Sequence, residues 1–284
     1  MNEQMPLRRR EDPRTAEDFS KDRILAALGD HPWRGLLRFL PVVDSTNNYL
    51  KALAEEGAPH GTVAAADCQT GGRGRMGRSF DSAAGAGVYL SVLLRPACPP
   101  EALMTLTAQA AVASARAVEA VCGETVGIKW VNDLVLSGRK VCGILTELSV
   151  DAQSGLVRSA VVGVGVNCSR REEDFPPALR GTAGSLLSQT GRRPDRNLLA
   201  AALIRELSRL PELDWREDYR ARCLNLGKPV QVLRPGQEPI PALALDVGPQ
   251  AELLVRLADG RQLAVNAGEV SVRGLYGYVD APKP

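Results

Sequence analysis

The segment Gly72-Arg73-Gly74-Arg75-Met76-Gly77-Arg78 places three arginines on a glycine-interrupted backbone directly after a strand-like run. Guanidinium groups pair bidentately with phosphate and carboxylate and keep their charge when desolvated, and glycines let backbone N–H groups close around an anion. The segment also satisfies GxGxxG. A dinucleotide-binding fold, however, would open a helix here and place an acid about twenty residues on. Phe80 to Gly87 is instead a Ser/Ala/Gly loop, and the region of Arg95 has no acid. A second cluster is Lys129-Trp130-Val131-Asn132-Asp133, followed after a Ser137-Gly138 turn by Arg139-Lys140 and the apolar run Val141-Cys142-Gly143-Ile144-Leu145. Lys140 reads either as a solvated lysine at a strand start or as a cation aimed at developing negative charge, with Asp133 available to magnesium or a hydroxyl. In Val162-Gly163-Val164-Gly165-Val166-Asn167, glycines interrupt a strong strand, which marks a bulge or a close approach by ligand or backbone. Asp44-Ser45-Thr46-Asn47 stands at a helix start, where N-capping alone would account for it. Each segment by itself keeps an ordinary structural explanation, a solvated basic loop included.

These groups need a body to hold them. With 284 residues and 44% hydrophobic composition the chain can bury a full core. Thirty-five basic against 33 acidic residues leave a net charge of +2, so no global field favours a polyanion and any positive site is local. Two histidines, His31 and His60, stand outside any nucleophile or metal motif, which argues against a Ser/His or Cys/His hydrolase. The six cysteines are scattered without a CxxC and read as reduced thiols. Neither a secretory signal nor a membrane span is recognisable, so the cytoplasm is the default compartment and no membrane partner is expected.

Hydrophobic periodicity supplies the elements. Residues 1–20, with the run Arg8-Arg9-Arg10, read as a loose leader. A short helix over Asp22 to Leu28, a strand over Leu36 to Val43 and a helix from Asp44 or Ser45 to Glu56 follow. The strand Gly61 to Cys68 feeds a polar, glycine-rich loop, Gln69 to Gly87, of a length usually reserved for function or disorder. A buried strand, Val88 to Leu94, precedes the longest helix, Glu101 to Val121, and then come hairpin strands at Val126 to Trp130, Leu134 to Leu136, Val141 to Leu148 and Leu156 to Val166. Helices are expected from Asp195 to about Leu210 and over Trp215 to Cys223. From Lys228 on, short alternating strands between Pro-Gly, Gly-Pro and Asp-Gly turns read as a small β-barrel, the last strand falling at Val270 to Val272 after Gly268.

Taken together and in this order, the four segments resemble the catalytic domain of biotin–protein ligases. The resemblance covers roughly Leu36 to Leu187, and the C-terminal barrel in general character. It implies an α/β (α+β) fold: a mixed-sheet catalytic domain of the kind shared with lipoate ligases, over 21–225, followed by an SH3-like barrel over 226–284. It also implies an ATP-dependent ligase that makes biotinyl-5'-AMP and passes biotin to a lysine of a biotin carboxyl carrier protein or domain, with ATP, biotin and Mg2+ as its small molecules. Carried over by position, Ser45, Thr46 and Gln69 would hydrogen-bond the ureido head of biotin, with Gly72 and Arg73 beside them. Gly163 and Gly165 would let the ligand lie close, and Lys140 would meet both the carboxylate and the α-phosphate. Arg75, Arg78, Phe80, Lys129, Asn132, Asp133 and Asn167 would border ATP or the adenylate, with Asp133 the metal candidate. Lys140, Arg75 and Arg73 would carry the catalysis, Arg75 from a lid.

Two departures stand out. Phe80 occupies a position where the family often has tryptophan, and Val131 one where it often has proline. Competing readings are a lipoate or octanoate transferase, whose pocket would be purely apolar, and a biotin-responsive DNA-binding repressor. Forty-three residues precede Asp44, so the expectation is a monofunctional ligase without a winged-helix domain and without specific DNA binding. A general nucleic-acid binder is weighed down by the balanced charge and the 4% aromatic content. A homodimer is left open.

Overall fold

A computed structural model describes residues 19–234 and 237–266, and the backbone of 271–274. The expected leader lies almost wholly outside the described residues. Its last two members do not fit that reading: Phe19 is buried, edge-on to Phe39 at 5.3 Å and under the Arg196 guanidinium at 4.7 Å, and Ser20 is the N-cap of the first helix.

Seven strands form one mixed sheet, in the order β1 (Leu37–Val43), β2 (Val63–Gln69), β3 (Gly87–Leu94), β7 (Val157–Asn167), β6 (Arg139–Val150), β5 (Asp133–Leu136), β4 (Gly127–Lys129). Only β1 and β2 run parallel. They are joined through helix α2 (Thr46–Glu55), as a parallel pair requires a crossover. The strand β3, Gly-Val-Tyr-Leu-Ser-Val-Leu-Leu, lies inside the sheet between β2 and β7 and is buried along its whole length.

One face packs on the Ala-rich helix α3 (Leu106–Cys122), which in turn packs on α5 (Arg196–Leu207), with α1 (Lys21–Leu28) beyond. Small alanines at six of the eleven buried positions of α3 let it lie close to its neighbours. The sequence run from Glu101 divides into a 3-10 turn, Pro100–Leu103, before α3 begins. Asp195 caps α5 as expected, its carboxylate accepting from Asn197 N and Leu198 N. The short helix α4 (Leu186–Thr190), capped by Ser185, has no counterpart in the sequence reading, because five residues are too few to show a period.

The other face carries α2 over only part of its area. Leu50 and Ala54 of α2 pack on Ala64, Leu93 and Val161. Beyond them the face is left to Tyr89 and Ser91 of β3, Gly163 and Gly165 of β7, and Gly143 and Leu145 of β6, which alternation puts on one side.

Helix α6 (Arg216–Arg222) leads into a second, five-stranded antiparallel sheet in the order β11 (Gln262–Val265), β10 (Leu253–Leu257), β9 (Ile240–Val247), β8 (Pro229–Leu233), β12 (Ser271–Gly274). Val270 and Gly268, named for the last expected strand, lie outside the described residues. Trp130 locks this small domain to the large one: its indole N–H donates to Ala251 O at 2.9 Å, and its backbone N–H to Asn225 Oδ1 at 2.7 Å. The Trp130–Val131 peptide is cis. Among the described residues no helix is long and apolar enough to cross a membrane.

Candidate functional site

The uncovered half of the sheet face is the floor of a cleft of about 330 Å³, whose lining includes Ser45, Thr46, Asn47, Gln69, Phe80 and Gly143. Its floor is glycine for a steric reason. A Cβ on Gly163 would stand 2.1 Å from Asn47 Oδ1, and one on Gly165 2.7 Å from Phe80 Cε1. Phe80 therefore lies flat over β7 and β6, edge-on to Tyr89 at 6.4 Å.

The N-terminus of α2 points into one end of this cleft. Ser45 is its N-cap by position, is buried, and makes no side-chain cap hydrogen bond, unlike Ser185 and Asp195. Capping therefore does not account for Ser45. Gln69, at the end of β2, has its amide fixed from both sides. Its Oε1 accepts from Thr46 N at 2.8 Å and lies 3.1 Å from Thr46 Oγ1, and its Nε2 donates to Ser82 Oγ at 2.9 Å. Ser91 Oγ lies 2.7 Å from Thr46 Oγ1 and 2.6 Å from Asn47 Oδ1. Asn47 Nδ2 donates to Glu147 Oε2 at 2.9 Å and to Leu145 O at 3.3 Å.

The arginine loop is pinned as a narrow hairpin, with Gln69 N donating to Ser82 O, Phe80 N to Gly72 O and Gly74 N to Arg78 O. Gly72 has no room for a side chain, since a Cβ would meet Phe80 O at 2.2 Å. The loop tip is the exposed Met76, at φ 56°. Arg73 donates to Asn48 Oδ1 at 2.9 Å and pairs with Glu147 Oε1 at 3.3 Å. Arg75 turns the other way and donates to Asn132 Oδ1 at 3.1 Å. Burial lowers its pKa, with the Asp133 charge opposing, and a guanidinium so placed stays ionised at neutral pH. Arg78 is exposed on the loop.

Beside the cleft, Lys140 Nζ bonds Asp133 Oδ1 at 2.5 Å and lies 3.2 Å from where a Cβ of the floor residue Gly143 would be. Lys129 stands directly across from Asp133 in the β4–β5 pair. Lys140, Asp133, Lys129, and Asn132 with Arg75 thus form a group adjoining the floor at Gly143, outside the lining that Ser45, Thr46 and Gln69 belong to. Asn167 behaves differently. It is buried, does not line the cleft, and gives its Nδ2 to Gly184 O at 3.0 Å, holding the strand-like strap whose Thr182 and Gly184 bracket Lys140.

Sequence reasoning missed Asn47, Ser82, Ser91 and Glu147 as members of the site. Glu147 is held below the ordinary carboxylate range. Burial pushes its pKa up, but hydrogen bonds from Asn47 and Lys51 and the charges of Lys51 and Arg73 outweigh it. The available signals were a serine in a wholly buried strand and a glutamate in step with Gly143 and Leu145.

Against known proteins, the biotin/lipoate A/B protein ligase family matches residues 39–167, and the biotin protein ligase C-terminal domain residues 226–273. The biotin–[acetyl-CoA-carboxylase] ligase of Mycobacterium tuberculosis is 35% identical over 271 residues, covering 91% of this chain and 96% of that protein. The bifunctional ligase/repressor BirA of Bacillus subtilis is 42% identical over 169 residues, 60% of this chain; the chain spans about half the length, 50%, of the Bacillus relatives it matches. The biotin protein ligase of Aquifex aeolicus, solved with biotin and ATP, is 29% identical with a TM-score of 0.70 over 84% of this chain and 98% of that one. Matched along nearly the whole of its mycobacterial relative, with the glycine-floored cleft and arginine hairpin in place, the chain belongs to the biotin–[acetyl-CoA-carboxylase] ligases of the biotin/lipoate A/B protein ligase family.

Proposed function

We propose that this chain activates biotin with ATP and transfers it to a lysine of a biotin carboxyl carrier protein or domain in the cytoplasm. The observation that carries this reading is a cleft lined by unlike groups with a lysine beside its floor. The hydrogen-bonding side chains of Ser45, Thr46 and Gln69 suit a polar ureido head, and Lys140, next to the floor residue Gly143, suits a carboxylate. A lipoate site would have no use for the first.

In this reading the biotin carboxylate oxygen attacks the α-phosphorus of ATP and pyrophosphate leaves. Two anions must approach, so the work of the protein is to offset their repulsion. Lys140 supplies the charge at the reacting atoms and Arg75 from the loop above, with Lys129, Asn132 and Asp133 bordering the nucleotide; Arg73, held against Asn48 and Glu147, would add its charge from the head-group side. Phe80 covers the ligand over the glycine floor, Gly72 and Gly165 permit the close fit, and Asn167 acts through the Gly184 strap. Arg78, exposed on the loop, is placed to meet phosphate as the loop closes. The mixed anhydride is prone to hydrolysis, and the 69–87 loop excludes water from it. The acceptor amine then attacks the carbonyl, AMP leaves, and an amide forms. Asp133 would be the carboxylate to hold Mg2+ where the ion accompanies ATP. Such an ion would neutralise phosphate charge.

The division at about residue 226, the absence of specific DNA binding, and either a monomer or a homodimer are part of the same proposal. ATP–pyrophosphate exchange on the whole chain tests the reading. Exchange should depend on biotin and be absent with lipoate; exchange driven by lipoate, or by neither, would overturn it.

A further inference from the structure

We propose that Glu147 is a positioning residue that fixes the donor–acceptor sense of the Thr46 hydroxyl, so that Thr46 accepts a hydrogen bond from an N–H of the bound head group. This rests on the biotin reading and goes beyond it to a residue that does not line the cleft.

A carboxylate can only accept hydrogen bonds. The Asn47 amide must therefore turn its nitrogen to Glu147, and with Leu145 O both of its N–H groups are used. Asn47 Oδ1 is left facing Ser91 Oγ, inside a buried strand. Three contacts then depend on two hydroxyl protons: Ser91 to Asn47 Oδ1 at 2.6 Å, Ser91 to Thr46 at 2.7 Å, and Thr46 to Gln69 Oε1 at 3.1 Å. Oxygens as close as the first two repel unless a proton lies between them. The Ser91 proton therefore goes to Asn47, and the Thr46 proton to Ser91. The longest contact is the one without a proton, and Gln69 Oε1 still accepts from Thr46 N at 2.8 Å.

With its proton committed inward, the Thr46 hydroxyl offers only lone pairs to the cleft. A ureido N–H satisfies them, whereas a head group with no donor there leaves them unpaired, which is how a polar site rejects an analogue. Reversing the chain requires a donor at position 147, so that Asn47 can turn over, giving up its long 3.3 Å bond to Leu145 O, and pass the polarity back through Ser91. Lys51 at 2.9 Å and Arg73 at 3.3 Å hold Glu147 in its ionised form, which cannot donate.

The test is isothermal titration of the full chain with biotin and, separately, with ATP. Glu147→Gln, which can donate as well as accept, should raise the biotin Kd about 10- to 100-fold while leaving the ATP Kd within about twofold. Lys51→Met removes a neighbour of Glu147 but keeps the carboxylate, and should leave the biotin Kd within about twofold. The double variant Glu147→Gln/Asn47→Asp restores an acceptor toward Ser91 and a donor at 147, and should recover about tenfold of the loss even without the Leu145 contact. The proposal falls if Glu147→Gln binds biotin like the wild type, if Lys51→Met is as damaging, or if the double variant is no better than Glu147→Gln. A wild-type chain that binds no biotin overturns the biotin reading and this inference with it. Wild-type binding with an unaffected Glu147→Gln removes the positioning role alone.

Discussion

Gly163→Ala puts one methyl group where the floor of the cleft meets the start of α2. Its Cβ would lie 2.1 Å from Asn47 Oδ1, 2.9 Å from Cγ and 3.2 Å from Nδ2. Relief requires the carboxamide to withdraw by roughly 1 Å. Asn47 cannot do so cheaply, since it is buried, sits in the first turn of α2, and bonds Glu147 at 2.9 Å while touching Ser91 at 2.6 Å. Overpacking of this kind costs about 1–3 kcal/mol, and a buried hydrogen bond left unmade about 1–3 kcal/mol more. The sum, about 2–6 kcal/mol, lowers Tm by roughly 5–20 °C at a few degrees per kcal/mol. The same methyl narrows the cleft, so the biotin Kd should rise by about 10- to 100-fold. Scanning calorimetry and biotin titration read both effects. Gly35→Ala is the control, because a Cβ there meets nothing within 4 Å, and its stability should stay within about 0.5 kcal/mol of wild type. If Gly163→Ala matched Gly35→Ala in Tm and in biotin affinity, the glycine floor would have no steric meaning and the placement of ligand above it would be wrong.

Lys140→Ala should abolish biotin-dependent pyrophosphate exchange, and an unchanged rate would remove Lys140 from the reacting centre. Arg75→Gly should keep exchange but release biotinyl-adenylate into solution, detected as free adenylate in the filtrate; normal retention would count against its lid role. Because the folded Glu147 carboxyl titrates below its unfolded value, its contribution is complete above the ordinary carboxylate range near pH 4.3 and is lost as pH falls through the lower folded value. The urea stability gap between wild type and Glu147→Gln should accordingly shrink as pH falls below the ordinary carboxylate range, and a gap that stayed flat would contradict the ion cluster. Arg170 clamps the far stem of the loop through Asp81, at 2.5 and 3.1 Å, so Arg170→Met should cost about 1–3 kcal/mol and speed amide exchange over residues 70–86. Burial pushes the Cys168 thiol up to about 12 and Cys223 to about 11, and both should resist iodoacetamide at pH 8 until the chain is unfolded.

The parts of the site that were legible beforehand are those whose chemistry is local. Arginines alternating with glycine, a lysine entering an apolar strand and two glycines inside another each kept an ordinary structural explanation, and it was their order together that resembled a known family; the elements around them followed from period and caps. What was not legible depends on pairing between distant segments. Ser91 and Gly163 become neighbours only through the β3–β7 register, and Asn47 reaches Glu147 across 100 residues of chain. Ser45 shows the opposite problem: its position invites a capping explanation that its actual hydrogen bonding does not support. Asn167 stands at the end of a glycine-marked strand but spends its amide on Gly184, a partner in a strap that has no periodicity to announce it.

Why the cleft lies where it does follows from the partial cover of one sheet face. A helix of ten residues spans about 15 Å, too little to roof a seven-stranded sheet. Leu50 and Ala54 bury the part of the face made by Ala64, Leu93 and Val161, and the helix begins where that apolar surface ends. Its first turn therefore presents N–H groups and the side chains of Ser45 to Asn47 at the boundary between apolar packing and open floor. A floor of ordinary side chains would fill the gap. Glycine at 143, 163 and 165 keeps it open, and the groups beside the gap come from the same strand or the next one, Lys140 on β6 with Gly143 and Ser91 on β3 across from Gly163 of β7. The hairpin of 69–87 leaves β2 at Gln69, inside the site, and re-enters the sheet at β3. Gln69 holds Thr46 on one side and Ser82, at the loop's far stem, on the other. In the proposed reading, a head group that failed to satisfy Thr46 and Gln69 would therefore also fail to stabilise the closed hairpin, and recognition of the head group and protection of the activated carboxyl would be coupled through that one side chain.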